Sequence, residues 1–192
     1  AQSSVTIYGV VDAGYASVDK VGTTASTAAR QSGIQNGGLS TPRLGFRGTE
    51  DLGQGMKAAF TLENEFLVDT GVQAPTTSGV GSSTLFIRES TVSLSKDGVG
   101  SVRMGRFNRQ DYQMAATFDA FAGNNIGGLV AGGSAGAVTL AISTRLENAI
   151  ELKTASFSGV SAVYQRQFGE QTGSENAGRT DAYGLNYASA VS

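Results

Sequence analysis

Histidine, cysteine and tryptophan are absent from this 192-residue chain, and proline occurs only twice. Without histidine or cysteine there can be no His-containing catalytic triad, no thiol nucleophile and none of the usual zinc sites. No cofactor is expected. Carboxylate pairs remain at Glu50/Asp51 and Glu63/Glu65. Glu63 and Glu65 stand two apart on one face of a strand, where contact with water accounts for them without catalysis. Long hydrophobic runs are also missing: no stretch approaches eighteen apolar residues, which excludes a membrane-spanning helix. Membrane strands escape that test, because each needs only about 9–11 residues and alternates in polarity. The net charge of −2 excludes a globally basic nucleic-acid binder. A lack of cysteine permits an exported location but does not prove one.

What the chain does have is 27 glycines and a repeated short-range alternation. In the first segment Val5, Ile7, Val11, Ala13 and Tyr15 share one face, with Thr6, Tyr8, Asp12 and Gly14 mostly on the other. Leu44 and Phe46 oppose Arg43 and Arg47; Met56, Ala58, Phe60 and Leu62 oppose Lys57, Thr61, Glu63 and Glu65. Side chains on a strand alternate with period two, so each segment has an apolar and a wet side. Lys and Glu on the wet side suit a sheet that lines water, apolar outward and polar inward, as in an antiparallel transmembrane β-barrel. Of the 14 cationic residues ten are arginine, several on expected wet faces.

Eight strands are expected, at roughly 4–16, 41–49, 56–66, 84–95, 99–106, 145–154, 160–168 and 180–188. Their connections alternate in length. Ser17 to Ser40, Leu67 to Ser83 and Phe107 to Thr144 are long, Gly169 to Arg179 is middling, and the turns at 49–55, 95–98 and 155–159 are short. An antiparallel meander does this when one side of a membrane carries loops and the other only turns. The start Ala1-Gln2-Ser3-Ser4 is what an exported protein shows after signal cleavage, although a chain cut elsewhere would look the same.

Several segments resemble a known family. Ser3-Ser4-Val5-Thr6-Ile7-Tyr8-Gly9-Val10-Val11-Asp12-Ala13-Gly14 resembles the mature N-terminus of Gram-negative general porins of the β-proteobacterial (Neisseria–Burkholderia–Comamonas) type. The run from Arg43-Leu44-Gly45-Phe46-Arg47-Gly48 through Met56-Lys57-Ala58 is similar to that family's second strand, first turn and third strand. Phe86-Ile87-Arg88-Glu89, Gly105-Arg106, Arg145-Leu146-Glu147-Asn148-Ala149-Ile150 and Tyr183-Gly184-Leu185-Asn186-Tyr187-Ala188 resemble later family segments in the same order. Family porins run nearly twice this length and end in an aromatic residue. The resemblance therefore implies that residues 1–192 are the N-terminal part of one barrel domain, about half of sixteen strands. It further implies an outer-membrane location, contact with outer-membrane lipid and lipopolysaccharide, a homotrimer, and passage of small hydrophilic solutes and anions.

The resemblance also supplies site residues. It implies that Arg43, Arg88 and Arg145 form a wall cluster at a constriction, facing Asp111 or Asp119 on a third loop, 107–144, folded toward the lumen. Arg47, Lys57, Glu63, Glu65, Arg103 and Asp12 are expected elsewhere on the lining. Strict alternation puts Arg88 with Phe86, Val92 and Leu94 on the lipid side, where arginine at mid-membrane costs about 2–4 kcal/mol. A β-bulge reversing the parity is expected there. Tyr8 is expected to pack on the wet wall. Tyr183, Leu185 and Tyr187 suit lipid contact. Positive groups at the narrows predict a preference for anions. Two alternatives stay open at this point: a soluble exported β-sandwich or adhesin-like module, and a small eight-stranded barrel serving as an anchor.

Overall fold

The computed structural model describes residues 4–21, 29–74, 84–119, 144–174 and 176–188. Ten strands and one helix follow in order: β1 Ser4–Val10, β2 Ala13–Val21, β3 Ala29–Asn36, β4 Arg43–Gly53, β5 Met56–Glu65, β6 Glu89–Lys96, β7 Gly100–Asn108, α1 Gln110–Phe118, β8 Arg145–Thr154, β9 Val160–Gln167 and β10 Thr180–Tyr187. Eight of the strands make one sheet in the order β1-β4-β5-β6-β7-β8-β9-β10, every pair antiparallel. The sheet is open, with β1 and β10 as its edges.

Register aligns the two faces across neighbouring strands. One row runs Val5, Gly48, Phe60, Val92, Met104, Ile150. A row of the opposite parity runs Ala59, Ser93, Arg103, Glu151, Gln165. A one-residue slip would exchange these faces, so the alternation pins the register. The apolar face is bare: Ile7, Val92, Met104, Leu152, Tyr183 and Leu185 are all exposed, Leu185 at 78%. The only other sheet among the described residues is the β2-β3 pair, so no second sheet covers this face as a sandwich would require. An apolar surface this extensive is stable against hydrocarbon and not against water. The buried cluster is small, namely Phe107, Leu146 and Ala149 on β7 and β8.

Three expectations are corrected. The first strand does not run to residue 16. It breaks after Val10, and the chain resumes as β2, paired with β3 in a separate hairpin within the stretch expected to be a loop. The Asp12 carboxylate explains the break, accepting the backbone N–H groups of Leu39 and Ser40 at 2.7 and 2.6 Å. The fourth expected strand, from residue 84, begins only at Glu89. No bulge reverses its parity either, since β5 and β6 pair without interruption from Met56↔Lys96 to Glu63↔Glu89. Arg88 instead lies one residue outside the strand, where alternation no longer dictates its direction. A bulge does occur further on, between β7 and β8: Gly105 pairs Ala149 and Phe107 pairs Leu146, so Glu147 and Asn148 oppose Arg106 alone. Asn148 takes φ +48° there, and the bulge brings Leu146 to the face of Glu151.

Candidate functional site

The polar face of the sheet carries two linked ionic clusters. In the first, Glu63 on β5 is the hub. The Arg88 Nε donates to its carboxylate at 2.5 Å, the Tyr8 hydroxyl at 2.8 Å, and the Arg43 Nε lies 3.9 Å away. A second nitrogen of Arg88 reaches Glu65 at 3.0 Å. Glu63 and Glu65 share a face because they are two apart on β5, and Arg43 pairs directly opposite Glu65 on β4. Gly45 makes room for the tyrosine: a Cβ there would sit 2.4 Å from the Tyr8 ring. The same ring carries the Arg47 guanidinium at 5.2 Å.

The second cluster crosses β6, β7 and β8. Arg103 bridges Glu89 at 3.3 Å and Glu151 at 3.0 Å, with its guanidinium 4.4 Å above the Phe107 ring. Glu151 also accepts from the Gln165 amide at 2.6 Å. The planar fork of arginine can satisfy two carboxylates at once, which lysine's point charge does not do as well. The result is a band of fixed, alternating charge along the polar face of the sheet.

The structure brings Arg43, Arg88, Glu63 and Glu65 together, with Arg145 in electrostatic reach of Arg88 and Glu65. It does not set the wall arginines against Asp111, whose carboxylate pairs at 2.7 Å with Arg109, two residues earlier in the chain. Asp119 is buried at 6% exposure. Lys57 is exposed near the short turns, paired in register with Asp51 and Ser95. Asp12 is occupied in holding the chain at Leu39 and Ser40 and is not part of either cluster. Sequence reasoning missed Glu89, Glu151 and Gln165. For Glu151 and Gln165 the alternation around Leu152 and Tyr164 was the available signal.

The loop end of the apolar face holds an ionic group on β9 and β10. Asp181 on β10 pairs with Arg166 on β9 and with Arg179, each at 2.8 Å, and accepts from the Tyr164 hydroxyl at 2.7 Å.

A family model described as Gram-negative porin matches residues 1–192. The chain belongs to the Gram-negative porin family. Outer membrane porin protein 32 of Delftia acidovorans is 38% identical over 188 residues, covering 96% of this porin chain and 48% of the relative. An outer membrane porin protein of Bordetella pertussis is 34% identical, over 83% of this chain and 41% of its own length. The solved structure of an anion-selective porin from Comamonas acidovorans superimposes with a TM-score of 0.76 at 35% identity, covering 97% of this chain and 54% of that one. The porin chain thus spans about half the length of the relatives it matches, and its sheet corresponds to part of a barrel wall. Its location is the outer membrane of a Gram-negative bacterium.

Proposed function

We propose that this porin chain forms part of the wall of a water-filled channel for passive diffusion of small hydrophilic solutes and ions, with a preference for anions. The observation that carries this reading is the two-faced sheet. The same strands are bare and apolar on one side and carry the Arg43–Glu63–Arg88 and Glu89–Arg103–Glu151 clusters on the other. Fixed charges on a narrow lining set a field that favours ions of one sign. Arg43, Arg88 and Arg145, at the loop ends of β4, β6 and β8, are the proposed source of the anion preference. The anion selectivity of the Comamonas relative supports it. Arg47, Lys57, Glu63, Glu65 and Arg103 line the remaining wall. We include the third loop, through α1, as the element that narrows the passage, and a homotrimer in outer-membrane lipid as the working assembly. Conduction would be passive, with neither substrate turnover nor a cofactor.

The test is planar-bilayer recording on the longest product that the gene encodes. Stepwise conductance with a reversal potential of anionic sign in a salt gradient is expected, reduced toward neutrality in Arg43→Ala and Arg145→Ala. A folded protein with no discrete steps would remove the channel reading. Cation preference before substitution would remove the anion reading.

A further inference from the structure

We propose that Gln165 fastens α1 to the wall and is thereby a positioning residue for the width of the passage; this rests on the channel reading above. Gln165 is fully buried, at 0% exposure, although it lies mid-strand on the polar face of β9. Its carbonyl oxygen accepts the backbone N–H of Gln110 at 2.8 Å, the first residue of α1. Its amide nitrogen donates to the Asn108 carbonyl at 3.3 Å and to the Glu151 carboxylate at 2.6 Å. One side chain therefore satisfies an unpaired helix-start donor and ties the preceding residues to the Arg103–Glu151 cluster. A neighbouring strand is shaped for the same contact. Gly184 on β10 leaves space in which a Cβ would stand 2.8 Å from the Gln110 side chain, and that side chain donates to Asn186 at 3.2 Å. Arg109 reaches Asp111 through two parallel contacts at 3.0 and 2.7 Å, which stiffens the segment just where Gln165 holds it.

Glutamine suits this position chemically. It meets one donor and two acceptors, so it must present an oxygen and an NH₂ group together. Leucine of similar size offers neither. Glutamate keeps the acceptor but, when ionised, sets a second negative oxygen against Glu151 and the Asn108 carbonyl, which it repels. The charged groups around it are Glu151 on β8 and, one contact beyond, Arg103 on β7 and Glu89 on β6. From α1 the contact is the backbone of Gln110, flanked by the Arg109–Asp111 pair, and the neutral Asn186 of β10 is reached only through the Gln110 side chain.

The experiment pairs hydrogen exchange in detergent with bilayer recording, on the longest gene product carrying Gln165→Leu or Gln165→Glu. In Q165L, amide exchange over Gln110–Phe118, corrected for intrinsic rates, should rise about tenfold, equivalent to about 1.4 kcal/mol, while β4 to β7 stay protected. Conductance and open-channel noise should rise with it. Q165E keeps the acceptor for the Gln110 N–H, so at pH 8 it should raise exchange over α1 less than Q165L does, and it should return toward the unsubstituted protein near pH 5, as a proton restores the contact with Glu151. Unchanged exchange over α1 in Q165L would overturn the proposal, as would pH-independent noise in Q165E. Faster exchange with unaltered conductance would overturn the positioning role. If Q165L fails to fold, Q165E at the two pH values decides alone. A complete lack of conductance in the unsubstituted protein would sink the channel reading, while exchange still decides whether Gln165 holds α1.

Discussion

Glu63 shows how a carboxylate can shape a wall rich in arginine. It accepts from Arg88 and Tyr8 and lies near Arg43, so it both orders these groups and cancels part of their charge. Glu63→Gln keeps the shape and removes the negative charge. The reversal potential should move further in the anionic direction, and stability in micelles should fall by roughly 1.5–3 kcal/mol with the charge-assisted bonds. A move toward cations would refute the role assigned to it. Gly45→Val tests the same hub from below. Its methyl groups would push the Tyr8 ring off Glu63, at about 1–3 kcal/mol for overpacking, and thermal unfolding in detergent measures it. Much of this cluster was legible in advance, because Glu63 and Glu65 alternate with Leu62 and the face of Arg43 follows from Leu44 and Phe46. The Arg88 partners were not legible. Alternation is a rule for residues inside a ladder, and Arg88 sits one step outside it.

At the scale of elements, the central strands follow their polarity pattern closely, whereas the β2-β3 hairpin gives no such warning. Its sequence is mostly Ser, Gly, Ala and Gln, with Tyr15 opposite Ile34 as the lone pair of large apolar residues. Both of its faces are similar in polarity, so periodicity has nothing to report. The β9-β10 pair presents the opposite case, in which a charged group interrupts a clean apolar row. Ile150 is followed across the sheet by Arg166 and Asp181 at the loop end, where charge is tolerated better than at mid-membrane. Asp181→Ala leaves Arg166 and Arg179 without their shared carboxylate and should lower the midpoint of thermal unfolding in micelles. The double variant Arg166→Leu/Asp181→Leu should recover most of that loss, because an apolar pair replaces an ion pair at little net cost. If the double variant is worse than Asp181→Ala, the ionic group has a role beyond mutual neutralisation.

For the molecule as a whole the decisive feature is the pair of open edges. Among the described residues β1 and β10 each present one unpaired side, and unpaired backbone groups are not tolerated in hydrocarbon. Eight strands could close on themselves only by pairing β1 with β10, which gives a lumen just wide enough to be filled by side chains. The wall already has α1 packed against β10 on its polar face, through Gln110, Gly184 and Asn186, and such a lumen leaves little room for it. Further strands must therefore pair with both edges before the sheet can seal a passage. Residues 1–192 expressed alone should accordingly associate in detergent through β1 and β10 and give no unitary steps in a bilayer. Adding the strands that correspond to the rest of a full-length relative should yield a heat-modifiable, discretely conducting species. Strand edges that exchange slowly in the 192-residue chain by itself, together with steady single-channel steps, would show instead that eight strands close on their own.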